Sequence, residues 1–308
     1  MRAVITGPTG EIGIALIQLL IEKNIEVLAI CHKGSNRRAE IPKSDFVHVL
    51  DLDMCDYSSF GFKTSKLDDK KYDYFFHLAW EGSDAHSRDD ERIQNQNIEF
   101  SLDAVNLAKR LGCSVFIGCG SQAEYGHVEG VLSPSTPTNP VLKYGHAKLI
   151  TCKKTRELCK KQGIRHIWAR FLSVYGPYDG PNSMISSSIT AILQGQIPCY
   201  TPGEQMWDYL FSKDAANALL LLAKKGKDGK IYVIGSGVAR PLKEYIYELR
   251  NEIDAKAEIH IGAKKYSDKQ VMYLCADISE LVADTGFQPE YKFTDGIRET
   301  IDYWRKKI

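Results

Sequence analysis

The sequence predicts an α/β fold, a doubly wound parallel sheet with helices on both faces and a smaller C-terminal substrate-binding region. Three observations carry this. Short apolar runs at residues 3–5, 26–30, 46–50, 73–79, 114–118 and 166–171 alternate with helix-length segments near 11–23, 97–111 and 145–162. Such alternation is the mark of parallel strands joined by right-handed helical crossovers. A glycine-rich turn links the first run to the first helical segment. After Pro177 the alternation gives way to turn-rich stretches, which sets the remainder apart.

The first strand is Ala3-Val4-Ile5, and the first helix carries the apolar run Ile14 to Leu20. Between them stands Thr6-Gly7-Pro8-Thr9-Gly10-Glu11-Ile12-Gly13. Gly7, Gly10 and Gly13 permit a tight turn and close backbone approach, and the free N–H groups at the helix start face an anion. This G-x-x-G-x-x-G spacing differs from the commoner G-x-G-x-x-G. A strand before it and a helix after it are the context that makes it a dinucleotide-binding (Rossmann) loop. Gly7, Thr9, Gly10, Glu11, Ile12 and Gly13 are therefore candidate cofactor contacts.

The second strand, Glu26 to Ile30, ends in Cys31-His32-Lys33, with Arg37 and Arg38 following. An NAD site usually has a carboxylate here for the ribose 2′-OH. Its absence, with Lys33, Arg37 and Arg38 nearby, points to a 2′-phosphate and so to NADP(H) as preferred cofactor, with NAD(H) the alternative. A solvated basic loop is the bland reading of these residues.

Further along, Tyr144 and Lys148 are four residues apart in a helix-like run, which places them on one face. A phenol with a pKa near ~10 is a poor proton donor or acceptor at neutral pH. A neighbouring ammonium would stabilise the phenolate and lower that value.

Composition limits the function. The chain has 308 residues, 40 Lys and Arg against 39 Asp and Glu, and a formal charge of +1, so no polyelectrolyte signal points to nucleic acid. Its eight cysteines are scattered without a C-x-x-C pair, and no signal peptide or long apolar span is evident. These features suggest a reduced, cytoplasmic protein with no membrane partner. Cys119 reads as a packing residue. The eight histidines form no H-x-x-x-H or H-E-x-x-H spacing, so no metal is expected.

Almost end to end, the chain resembles the extended short-chain dehydrogenase/reductases, the family of nucleotide-sugar epimerases, dehydratases and 4-ketoreductases. Val49-Leu50-Asp51-Leu52 resembles the adenine-edge contact, implying roles for Asp51 and Leu52. Phe75-Phe76-His77-Leu78-Ala79-Trp80 resembles the segment beneath the cofactor, implying Leu78, Ala79 and Trp80. Asn97 matches the asparagine that braces the active-site backbone. Gly120-Ser121-Gln122-Ala123-Glu124-Tyr125-Gly126 resembles the S-S-x-x-x-Y-G segment, placing the catalytic hydroxyl at Ser121. Pro140 to Lys148 resembles P-x-x-x-Y-G-x-x-K, and Arg170 to Pro177 resembles R-x-x-x-x-Y-G-P. The implied domains are residues 1–177 plus about 210–237 for the cofactor, and about 178–209 plus 238–308 for the substrate.

The resemblance also implies a chemistry. Tyr144 would exchange a proton with a sugar oxygen, Ser121 would hydrogen-bond that oxygen, and Lys148 would bind the nicotinamide ribose. Phe171 would lie near the nicotinamide, and Ser173 and Gln122 near the sugar. Trp80, Tyr175, Trp207 and Tyr209 are candidates for stacking on sugar or base, with core packing at least as common for such rings. Dehydratases carry an acid pair directly after the catalytic threonine, where this chain has Gln122 and Ala123. The expected activity is thus NADPH-dependent reduction of a nucleotide-linked 4-keto-6-deoxyhexose, with a C4 epimerase as the alternative. A non-catalytic NADP sensor is the remote reading, disfavoured because Ser121, Tyr144 and Lys148 are all retained. A homodimer through the helices near Asn97–Arg110 and Gly145–Gln162 is implied, with Leu102, Val105 and Leu149 as apolar surface.

Overall fold

The computed structural model describes residues 1–61, 71–84, 86–128, 130–267 and 270–308. Strand β1 (Arg2–Thr6) runs through the glycine turn into α1 (Glu11–Glu22), followed by β2 (Glu26–Cys31), β3 (Val47–Asp51) and β4 (Tyr74–His77). Next come α2 (Glu91–Arg110), β5 (Val115–Ser121), β6 (Val131–Leu132), α3 (Lys143–Gln162) and β7 (Arg165–Phe171). The chain continues through β8 (Ser173–Tyr175), α4 (Met184–Leu193), β9 (Met206–Trp207), β10 (Tyr209–Phe211) and α5 (Ser212–Lys225). It ends with β11 (Lys230–Ile234), β12 (Arg240–Pro241), α6 (Leu242–Asp254), β13 (Cys275–Ala276), α7 (Ser279–Thr285) and α8 (Phe293–Arg305).

Seven strands form one parallel sheet in the order β11-β7-β5-β4-β1-β2-β3. The strands read as continuous apolar runs because both faces are covered. Ala3 and Ile5 join a cluster with α1 and α5 residues such as Leu16 and Leu219 on one face. Val4 and Phe75 join α2 residues such as Val105 and Leu107 on the other. Strand order reverses direction about β1 and β4, and that switch point opens a crevice at the carboxyl ends of the strands.

Two boundaries differ from the sequence reading. Helix α2 starts six residues before Asn97, where Asp90 accepts a hydrogen bond from Ile93 N at 3.0 Å and caps the helix. Its first turns lack apolar periodicity, so the pattern alone starts late. Helix α6 was not anticipated; its Leu249 packs with Ile185 and Ile189 of α4 and Ile297 and Ile301 of α8. That cluster is the core of the C-terminal region.

Candidate active site

The glycine turn is shaped by contact with β4. Gly7 has φ +69°, and a Cβ there would lie 2.8 Å from Ala79 N. A Cβ on Gly13 would lie 2.4 Å from Gly7 O. At Gly10 the nearest atom to a built Cβ is Gly7 O at 3.6 Å, so glycine here leaves room above the start of α1. Thr6 Oγ1 accepts from Ala79 N at 3.2 Å and meets His77 Nδ1 at 2.8 Å, while His77 Nε2 meets Ser101 Oγ at 3.0 Å. Burial lowers His77 to about 3, so this tie between β1, β4 and α2 is made of neutral groups. Gly7, Thr9, Gly10, Leu52, Leu78 and Ala79 line one cleft of about 600 Å³, and Trp80 lines it too. These are the cofactor contacts expected from sequence that the fold gathers together.

The basic cluster after β2 is otherwise engaged. Lys33 Nζ pairs with Asp56 at 2.7 Å, and its backbone N–H donates to Asp53 at 2.8 Å. Arg38 Nε donates to Asp51 Oδ1 at 2.8 Å, and the Arg37 guanidinium donates to the Tyr178 carbonyl. The expectation of an acid-free site is therefore corrected. Cys31 stands opposite Asp51 in the β2–β3 register, so the carboxylates arrive from the neighbouring strand. Glu11 also departs from expectation: burial, with the Asp179 carboxylate nearby, pushes its pKa well up, and it lines a different cavity.

Ser121 ends β5, and its position is set by Glu124. That fully buried carboxylate accepts from Ser121 N and Trp168 Nε1, both at 2.9 Å, and from Arg170 Nε at 2.7 Å. Ser121 Oγ accepts from Ala123 N at 3.2 Å, and Ser121 lines one cavity with Tyr144. Asn97 grips Glu81 on both sides, accepting from its N at 2.9 Å and donating to its O at 2.8 Å. This holds the strand end that carries Trp80, whose Nε1 donates to Gln94 Oε1 at 2.9 Å.

Lys148 does not do what its spacing from Tyr144 suggested. Nζ donates to Cys119 O at 2.7 Å and stands 3.7 Å from the centre of the Trp80 ring, against 5.7 Å for Tyr144. Burial lowers Lys148 to about 8. Burial likewise raises Tyr144 to about 12, opposed by the Ser121 hydroxyl and by Arg88. The phenol is thus a protonated donor at neutral pH, and the cation acting on it is Arg88, 5.3 Å from the ring centre. Arg88 lies far upstream with no spacing relation to Tyr144, so no motif could have revealed it.

Ile12, Gln122 and Phe171 line a second cavity of about 490 Å³ with Ser121 and Tyr144. The other expected substrate residues are elsewhere. Ser173 Oγ accepts from Trp207 Nε1 at 2.8 Å, and Trp207 packs on the cluster around Leu132 and Leu274. Tyr175 is buried and donates to Phe293 O at 3.1 Å, so its expected stacking role is corrected to core packing. Tyr209 lines a separate cavity of about 530 Å³ with Arg240 and Tyr245. Val105, expected on a dimer surface, is buried against the sheet.

This fold, with the glycine-turn cleft and with Ser121 and Tyr144 in a second cavity, is that of a nucleotide-cofactor enzyme. The chain belongs to the NAD dependent epimerase/dehydratase family, whose model matches residues 3–235. Mouse dTDP-D-glucose 4,6-dehydratase is 23% identical over 333 residues, covering 100% of this chain and 89% of its own. CDP-abequose synthase of Salmonella typhimurium is 23% identical over 312 residues, covering 97% and 96%. Among solved structures, UDP-N-acetylglucosamine 4-epimerase from Methanobrevibacter ruminantium superposes with a TM-score of 0.87 at 24% identity, covering 100% of this chain and 99% of that one. UDP-glucuronic acid 4-epimerase from Bacillus cereus, solved with NAD, gives 0.84 at 20% identity. Among the described residues, no helix is long and apolar enough to cross a membrane.

Proposed function

We propose that the chain reduces a nucleotide-linked 4-ketohexose at C4, with NAD(H) as cofactor. The observation that carries this is the chemistry around Ser121. Elimination of water needs an acid and a base beside the sugar, and the adjacent positions are Gln122 and Ala123. Glu124, the next carboxylate, is fully buried and holds three donors, so it is committed to structure. What remains is a serine and a protonated phenol, the pair that a ketone oxygen requires as it becomes an alcohol. The sugar-nucleotide names of the curated relatives support that substrate class.

The cleft fits a dinucleotide, because Gly10 leaves space over the helix start where backbone N–H groups are free for phosphate. Gly7, Thr9, Gly10, Leu78 and Ala79 would hold it, and the group supplies hydride when bound. Ser121 would fix the carbonyl oxygen, Tyr144 would give it a proton, and Lys148 would bind a ribose hydroxyl. The NADP(H) preference read from Lys33, Arg37 and Arg38 loses its support once Asp51, Asp53, Asp56 and the Tyr178 carbonyl take those cations.

The same carboxylates favour a second reading, a C4 epimerase that retains NAD. Supplied with NADH and a nucleotide-linked 4-keto-6-deoxyhexose, a reductase consumes about one NADH per product, since reduction is a net two-electron step. Steady absorbance of the reduced nicotinamide with inversion at C4 of a 4-hydroxy sugar would replace the reductase by the epimerase.

A further inference from the structure

The cavity at Ser121 is lined by two unlike sets of residues. Val128, Leu132, Leu172, Val271 and Leu274 all line it, and they belong to one apolar cluster, with Leu132, Leu172 and Leu274 buried and the two valines packed on them. They converge from the loop after β5, from β6, from the β7–β8 junction and from the segment before β13. Ile12 and Phe171 also line the cavity but pack with the cluster on the sheet side. The aliphatic wall is therefore a surface of its own.

Polar groups line the same cavity. Ser121 Oγ already accepts from Ala123 N. Gln122 differs, because its Oε1 is buried with no hydrogen-bond partner. A buried carbonyl oxygen without a donor is unfavourable, and a ligand that brings an O–H or N–H removes the penalty. Arg88 and His127 stand exposed where they line the cavity. A fully hydroxylated hexose would bring hydroxyls against Leu132, Leu172 and Leu274, whose side chains offer them no hydrogen bond.

Resting on the ketone-reduction reading, we propose that the sugar is a multiply deoxygenated 4-ketohexose. Its methyl and methylene carbons pack on the Leu132–Leu274 wall, and one hydroxyl or amino donor near the carbonyl bonds Gln122 Oε1. The wall and the unpartnered amide are independent features, and both select against a sugar bearing hydroxyls all round.

The test compares dTDP-4-keto-6-deoxyglucose with dTDP-4-keto-3,6-dideoxyglucose on the wild-type protein. Calorimetric Kd is measured without reduced cofactor, and kcat/KM with NADH. The dideoxy ester is expected to be favoured about 10- to 100-fold in both, the range in which an apolar pocket separates ligands differing by one hydroxyl. Leu274→Thr should bring the ratio towards one, Leu274→Ile should preserve it, and Gln122→Leu should weaken both esters about tenfold. Equal or weaker binding of the dideoxy ester by the wild type overturns the inference, whatever the variants do. If neither ester is reduced while the binding preference holds, the pocket assignment stands and ketone reduction is what fails.

Discussion

Replacing Lys148 by methionine should make the folded protein more stable at neutral pH while it abolishes turnover. Lys148 is 4% exposed, and burial takes its pKa from the usual 10.5 to about 8. At 1.36 kcal/mol per tenfold change in proton affinity, holding that cation in place costs about 3 kcal/mol relative to the unfolded chain. Methionine matches the side chain in length and gives up the amine's hydrogen bond to Cys119 O, about 1 kcal/mol, and the ammonium's contact with the Trp80 ring, about 1 kcal/mol more. The net gain is about 1 kcal/mol at pH 7. At about 2–4 °C per kcal/mol, the melting temperature should rise by a few degrees. The sign reverses with pH. Because the folded pKa lies below the unfolded one, the native state binds fewer protons between pH 8 and 10.5, and wild-type stability climbs across that window. The methionine variant cannot follow, so its advantage should vanish or invert by pH 10.5. Urea denaturation of both proteins at pH 7 and 10.5, followed by circular dichroism, measures this. A variant that is no more stable than wild type at pH 7, or whose advantage is unchanged at pH 10.5, refutes the reasoning.

Tyr144→Phe keeps the ring and removes the proton, so turnover should fall by about 10²- to 10⁴-fold with NADH affinity unchanged; substantial residual turnover would assign the acid elsewhere. Glu124→Gln leaves the Arg170 guanidinium buried without its counter-charge, and the protein should lose about 3–5 kcal/mol in urea titrations. Unaltered stability would show that the pair is not what fixes the end of β5. Fluorescence titration should give a Kd for NADH no weaker than that for NADPH, and a tenfold preference for NADPH would restore the phosphate site that Lys33 and Arg38 seemed to offer.

The alternation of strands and helices and the glycine turn were legible along the chain, as were the short motifs that contain Ser121, Tyr144 and Lys148. These are local signals: the period of apolar residues, the steric demand at Gly7 and Gly13, and short motifs whose spacing survives in one dimension. What tertiary structure alone decided depends on neighbours distant in the chain. Asp51, Asp53 and Asp56 neutralise the basic end of β2 because β3 lies beside it, and nothing within β2 announces them. Arg88 reaches Tyr144 across a fold crossing, while Lys148 turns instead to the Cys119 carbonyl. Tyr175 and Val105 belong to cores whose other halves come from α8 and from the sheet. Glu124 lies one residue from the dehydratase acid positions in sequence, and Arg170 and Trp168 of β7 hold it in a structural role that only the folded chain reveals. Charge pairing and burial follow from which surfaces meet, and that is a property of the folded chain.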